Sequence, residues 1–75
     1  MYSKRIRLKG IPQVHAFVKL ADQCEFDVNI GYDRVCIDAK SIVGVMGLDL
    51  GRILEVTFDG TFAPLEQFCE EHAVG

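Results

Sequence analysis

The sequence predicts an α+β domain in which three helices cover one face of a four-stranded antiparallel sheet, in the order β-α-β-β-α-β-α. Three observations predict it. Apolar and polar residues alternate with a period of two over short segments near residues 2–9, 25–30, 35–37 and 54–58. Stretches with apolar residues at helical spacing lie between or after them. Each alternating segment has a single apolar face, so one side of the sheet is covered by helices and the other meets water.

The first strand carries Ile6 and Leu8 on one side and Arg5, Arg7 and Lys9 on the other. Gly10 and Pro12 interrupt it. Val14, Phe17, Val18 and Ala21 then fall at i, i+3, i+4 and i+7 and mark the first helix. Pro12 suits the first helical turn, where its missing N–H costs nothing, but no Ser, Thr, Asp or Asn is placed to cap it. Residues 25–30 alternate, with Phe26, Val28 and Ile30 against Glu25, Asp27 and Asn29. Gly31, Tyr32 and Asp33 read as a turn, and Val35 and Ile37 as the returning strand of a hairpin. Ala39, Lys40 and Ser41 lead into Ile42, Val43, Val45, Met46 and Leu48, a short apolar helix with Ser41 as its N-cap and Gly51 as its stop. Leu54, Val56 and Phe58 alternate with Glu55, Thr57 and Asp59 in the last strand. Asp59-Gly60 turns the chain, and Pro64 opens a final helix with Leu65, Phe68 and Cys69 as its stripe and His72 near its end.

Seventy-five residues form one domain, spanning 1–75, with room for two packed layers. Eleven acidic against eight basic residues give a net charge of −3, which supplies no footprint for nucleic acid. The basic cluster on the first strand is expected to face an acidic strand, since Glu25, Asp27, Glu55 and Asp59 are available on its neighbours. Cys24, Cys36 and Cys69 form no C-x-x-C and are odd in number, which excludes a disulfide framework and a zinc site and predicts buried, reduced thiols. No phosphate-loop or dinucleotide motif occurs and no two histidines stand at ligand spacing, so no cofactor, metal or catalytic constellation is expected. The longest uncharged run, Ser41 to Leu48, is too short to cross a bilayer. The expectation is a soluble, cytoplasmic, monomeric protein that does not touch a membrane and is not an enzyme.

Phe17-Val18-Lys19 and the string Ala39-Lys40-Ser41-Ile42-Val43-Gly44-Val45-Met46-Gly47-Leu48 resemble HPr, the small phosphocarrier of the bacterial sugar phosphotransferase system. The second piece looks like the AKSIMGVMSLGL-type stretch of Gram-positive HPr proteins, and the spacing between the two pieces needs no gap. The resemblance implies the HPr-like open-faced β-sandwich. It also implies two sites to look for. One is a phosphate-accepting histidine in a G-[LI]-H-x-R-P motif at the start of the first helix. The other is the serine that caps the second helix, modified by HPr kinase in many Gram-positive bacteria.

The histidine motif is missing. Counting back from Phe17, the family's histidine falls on Gly10 and its arginine on Pro12. His15 lies about one turn inside the helix. A phosphoryl acceptor needs an imidazole beside the free N–H groups of a helix N-terminus, with an arginine to hold the oxygens. His15 is placed for neither, and His72 stands near the end of the chain. Ser41 keeps its place. Its local role is the helix cap; the resemblance adds regulatory phosphorylation there and a partner-binding patch of Lys40, Ser41, Ile42, Val43, Met46 and Leu48.

Three functions follow from this. The first is a regulatory, protein-binding module of the phosphotransferase system that no longer carries phosphate on histidine, with HPr kinase, enzyme I or a transcription regulator as partner. The second is a working phosphocarrier whose acceptor is His15. The third is an interaction protein phosphorylated nowhere.

Overall fold

A computed structural model describes residues 2–74. The elements are β1 (Tyr2–Ile6), α1 (Ile11–Gln23), β2 (Val28–Tyr32), β3 (Val35–Asp38), α2 (Ile42–Met46), β4 (Leu54–Phe58) and α3 (Ala63–Glu71). All strand pairs are antiparallel and the sheet order is β1-β4-β2-β3. This is the expected element order and the expected sheet.

The core lies between the sheet and the helices. Ile6, Val28, Ile30, Leu54, Val56 and Phe58 line the inner face of the sheet, and Leu8 is buried just beyond β1. Val14, Phe17, Val18 and Ala21 of α1 meet it, as do Leu65, Phe68 and Cys69 of α3. The helical stripes read from the sequence are the buried ones, because apolar residues at this spacing share one face of a helix. On the open face, Arg5 stands opposite Glu55 across the β1–β4 ladder. The Arg7 guanidinium donates to the Gly51 carbonyl at 2.8 Å. Arg5 and Arg7 of the basic cluster are therefore matched within the sheet and its adjoining loop.

Four local expectations are corrected. First, β2 begins at Val28, and residues 25–26 bend. The Phe26 ring leaves the strand path to stack near Phe58, with centroids 6.1 Å apart. It also sits against Gly60, where a Cβ would fall 2.3 Å from the ring. Second, Gly31 and Tyr32 lie inside β2, and the hairpin turns at residues 33–34. Asp33 has φ 51°, the positive value that primed hairpin turns need at a central position. Third, α2 is closed by Gly47, whose N–H reaches the Val43 and Gly44 carbonyls, and not by Gly51. Fourth, Cys36 is exposed, while Cys24 and Cys69 are buried as expected. Cys36 sits on the open face of an edge strand, opposite Gly31.

The chain end is tied down. After α3, the Arg7 N–H donates to the His72 carbonyl and the Val74 N–H to the Arg5 carbonyl, each at 3.0 Å. His72 Nδ1 donates to the Phe68 carbonyl at 2.8 Å, and its ring stacks on Phe68 at 4.0 Å. Among the described residues no helix is long and apolar enough to cross a membrane.

Burial pushes the Cys69 thiol from 9.0 up to about 11, with Lys4 opposing the rise and Glu66 adding to it. The folded protein thus holds this proton more tightly than the unfolded chain does. The stability gained is complete below the unfolded value and is lost as pH climbs through the folded one. Urea denaturation is expected to show stability falling as pH rises from about 9 toward 11, with a shallower fall in Cys69→Ala.

Candidate functional site

The start of α1 is built without a side-chain cap. Gly10 stands at the N-cap with φ 87° and ψ 170°, and Ile11 and Pro12 follow. The positive φ is one that glycine adopts freely and other residues rarely do. Pro12 removes an N–H from the first turn, and the Gly10 carbonyl accepts from Val14 N–H at 3.2 Å. The Gln13 side chain folds back so that its Oε1 accepts from Lys9 N–H at 2.7 Å. No imidazole belongs to the Gly10-Ile11-Pro12 segment.

His15 lies in α1, exposed, five positions after Gly10. It lines a shallow depression of about 690 Å³ between α1 and the segment leading into α2, shared with Lys19, Asp22, Lys40 and Ile42. The sequence reading omitted Lys19 and Asp22 from the site. Their spacing from His15, i+4 and i+7, puts all three on one helix face and was the available signal. What the spacing lacked was the packing of α1 beside α2.

The loop before α2 is held by three bonds. Asp38 Oδ1 accepts from Lys40 N–H at 2.9 Å, and the Asp38 carbonyl accepts from Ser41 N–H at 3.1 Å. The Lys40 ammonium donates to the Cys24 carbonyl at 2.9 Å, at the C-terminal end of α1. That contact satisfies a carbonyl left open by the helix and places a cation where the helix end favours one. Ser41 has extended backbone, and its Oγ accepts from Gly44 N–H at 3.3 Å, which is N-cap geometry. Removing this cap with Ser41→Ala is expected to cost about 1 kcal/mol, read as a lower urea midpoint with unchanged slope.

Beyond Ser41 the surface is apolar. Val43 is 80% exposed and Met46 45% exposed. Ile42 is half-buried and packs against the core. Leu48 is corrected: it is buried in the core at 7% exposure, because α2 ends at Met46 and the chain turns inward. It offers a partner no surface. Among the described residues, no group of three or more His, Cys, Asp or Glu is arranged to hold a metal ion.

The comparisons with known proteins agree with this fold. The family model described as "PTS HPr component phosphorylation site" matches residues 13–65. That span includes His15 and Ser41 and begins after Gly10. A crystal structure of a phosphocarrier protein HPr from Bacillus anthracis superimposes with a TM-score of 0.75. Identity is 26%, and the match covers 95% of each chain. No curated protein sequence matches. With the family model spanning most of the chain, and the same fold in a solved HPr, this chain belongs to the HPr family.

Proposed function

We propose that the chain is a regulatory, protein-binding member of the sugar phosphotransferase system that does not carry phosphate on histidine. Its regulatory phosphorylation site is Ser41, and its partner surface is centred on Ile42, Val43 and Met46. The observation that carries the reading is the start of α1. By the residue count back from Phe17, the family's histidine falls on Gly10 and its arginine on Pro12. Phosphoryl transfer to a side chain needs a nucleophile and donors converging on one point. That segment supplies neither imidazole nor guanidinium.

Ser41 is exposed, with apolar side chains immediately after it. A phosphate on Oγ adds between about −1.5 and −2 charges beside Val43 and Met46. An apolar contact surface is thereby given a strongly hydrated neighbour, which changes which proteins can dock there. The partners that fit are HPr kinase, as the modifying enzyme, and a transcription regulator that reads the modified form.

Incubation with HPr kinase and ATP, followed by peptide mass analysis, tests the serine site. The expected product is an acid-stable phosphate on Ser41, absent in Ser41→Ala. An unmodified chain after the kinase has fully modified a control HPr would remove the regulatory half of the proposal.

A further inference from the structure

Ala39, Lys40 and Ser41 join β3 to α2, and each is sent in a different direction. Ala39 is fully buried, and its N–H donates to the Val28 carbonyl at 2.8 Å. Ser41 is exposed. Lys40, between them, is half-buried and lines the depression beside Val18 and Ile42. Its ammonium crosses to the end of α1 and donates to the Cys24 carbonyl at 2.9 Å, sixteen residues away in sequence. This is how a lysine behaves when its stem covers apolar surface and its head finds a polar partner. To contact a docked protein, the ammonium would first have to leave that carbonyl and expose the end of α1.

The backbone of Lys40 is held as well. Its N–H donates to Asp38 Oδ1 at 2.9 Å, and the next N–H, that of Ser41, donates to the Asp38 carbonyl at 3.1 Å. Lys40 is thus pinned to β3 through its main chain and to α1 through its side chain. Ser41 follows directly, with its Oγ directed at Gly44 N–H. The helix behind it has only five residues, too few to hold its own first turn in place. The orientation of the hydroxyl is therefore set by what fixes the connection, and the Lys40–Cys24 bond is the part of that network that reaches across to another helix.

We propose that Lys40 is a positioning residue for phosphorylation of Ser41: its bond to the Cys24 carbonyl holds the hydroxyl in the orientation the kinase receives, and its ammonium touches neither the kinase nor the nucleotide. This role rests on the reading of Ser41 as the phosphorylated residue. It also takes Lys40 out of the partner-binding patch that the family resemblance implies. In-line transfer of a phosphoryl group needs the attacking oxygen aligned with the leaving group, and a misplacement of about 1 Å can cost about 100-fold in rate. Docking makes a smaller demand on the connection, because Val43 and Met46 ride on a helix anchored by buried Val45. Loosening the connection therefore slows chemistry more than it weakens binding.

Lys40→Met keeps the apolar stem and removes the ammonium. Asp38→Ala loosens the same connection from its other side and leaves every cation in place. Steady-state phosphorylation by HPr kinase and amide hydrogen exchange are measured on both variants, below the unfolding midpoint of each. Both are expected to lower kcat about tenfold with KM within about twofold of wild type. Both are also expected to exchange the Ser41 and Gly44 amides at least about threefold faster. A rise in KM with kcat and exchange unchanged in Lys40→Met would make Lys40 a direct contact of the kinase and overturn the proposal. So would a loss confined to Lys40→Met and absent from Asp38→Ala, because charge and not placement would then be what matters. A wild-type chain left unmodified on Ser41 would remove the serine reading itself, and this role with it; a modified wild type with both variants equal to it would remove this role alone.

Discussion

Gly31→Val is expected to abolish folding, and Gly31→Ala to cost about 3 kcal/mol in urea denaturation, at the upper end of overpacking penalties. A Cβ at Gly31 falls 1.8 Å from the Val35 carbonyl oxygen and 2.7 Å from its carbon. Both are backbone atoms of the neighbouring strand, so no rotamer change relieves the contact. The ladder between β2 and β3 must open instead. Gly31 also pairs with Glu55 on its other side, so β2 has no free direction in which to shift. A domain of this size has a total stability of about 4–11 kcal/mol. Two further methyl groups in the valine variant exceed what it can absorb. An unchanged urea midpoint in Gly31→Ala would show that β3 does not approach β2 this closely.

Val43→Glu combined with Met46→Glu is expected to weaken partner binding at least about 30-fold, near 2 kcal/mol, the threshold for a dominant contact residue. Stability is expected to move by less than about 1 kcal/mol, because Val43 is largely in solvent and Met46 close to half exposed. The contrast separates this surface from the core beneath it. Val45, one position away, is fully buried, and its replacement by a charge would unfold α2 rather than report on binding. Calorimetric titration with HPr kinase provides the affinity, and thermal unfolding provides the stability. Unchanged affinity in the double variant would move the docking surface off α2.

Features set by neighbours in sequence were legible without coordinates. The stripe Val14, Phe17, Val18 and Ala21 is buried as its spacing implies. Ser41 is an N-cap because a hydroxyl, its own extended backbone and a following helix suffice to make one. The opposition of Arg5 and Glu55 followed from charge once the strands were recognised. What was illegible depended on distant contacts. Gly31 reads as a turn residue until Val35 is seen to need the space. Phe26 reads as strand until Gly60 opens a place for its ring. Leu48 matches a surface pattern in letters but is drawn inward once α2 stops at Met46. His72 looks like the loose end of a helix until β1 is found to bond the segment around it. The local half of the candidate site, Ser41 and its helix, was therefore readable. The depression that joins His15, Lys19, Asp22 and Lys40 is produced by packing of α1 beside α2 and was not.

The proposal that the head of α1 accepts no phosphate is tested most directly with enzyme I and phosphoenolpyruvate, a functional HPr serving as positive control and intact-mass analysis as readout. The expected outcome is a control that gains an acid-labile phosphoryl group while this chain gains none. An acid-labile phosphate mapped to His15, and lost in His15→Ala, would contradict it and make the chain a phosphocarrier with a displaced acceptor.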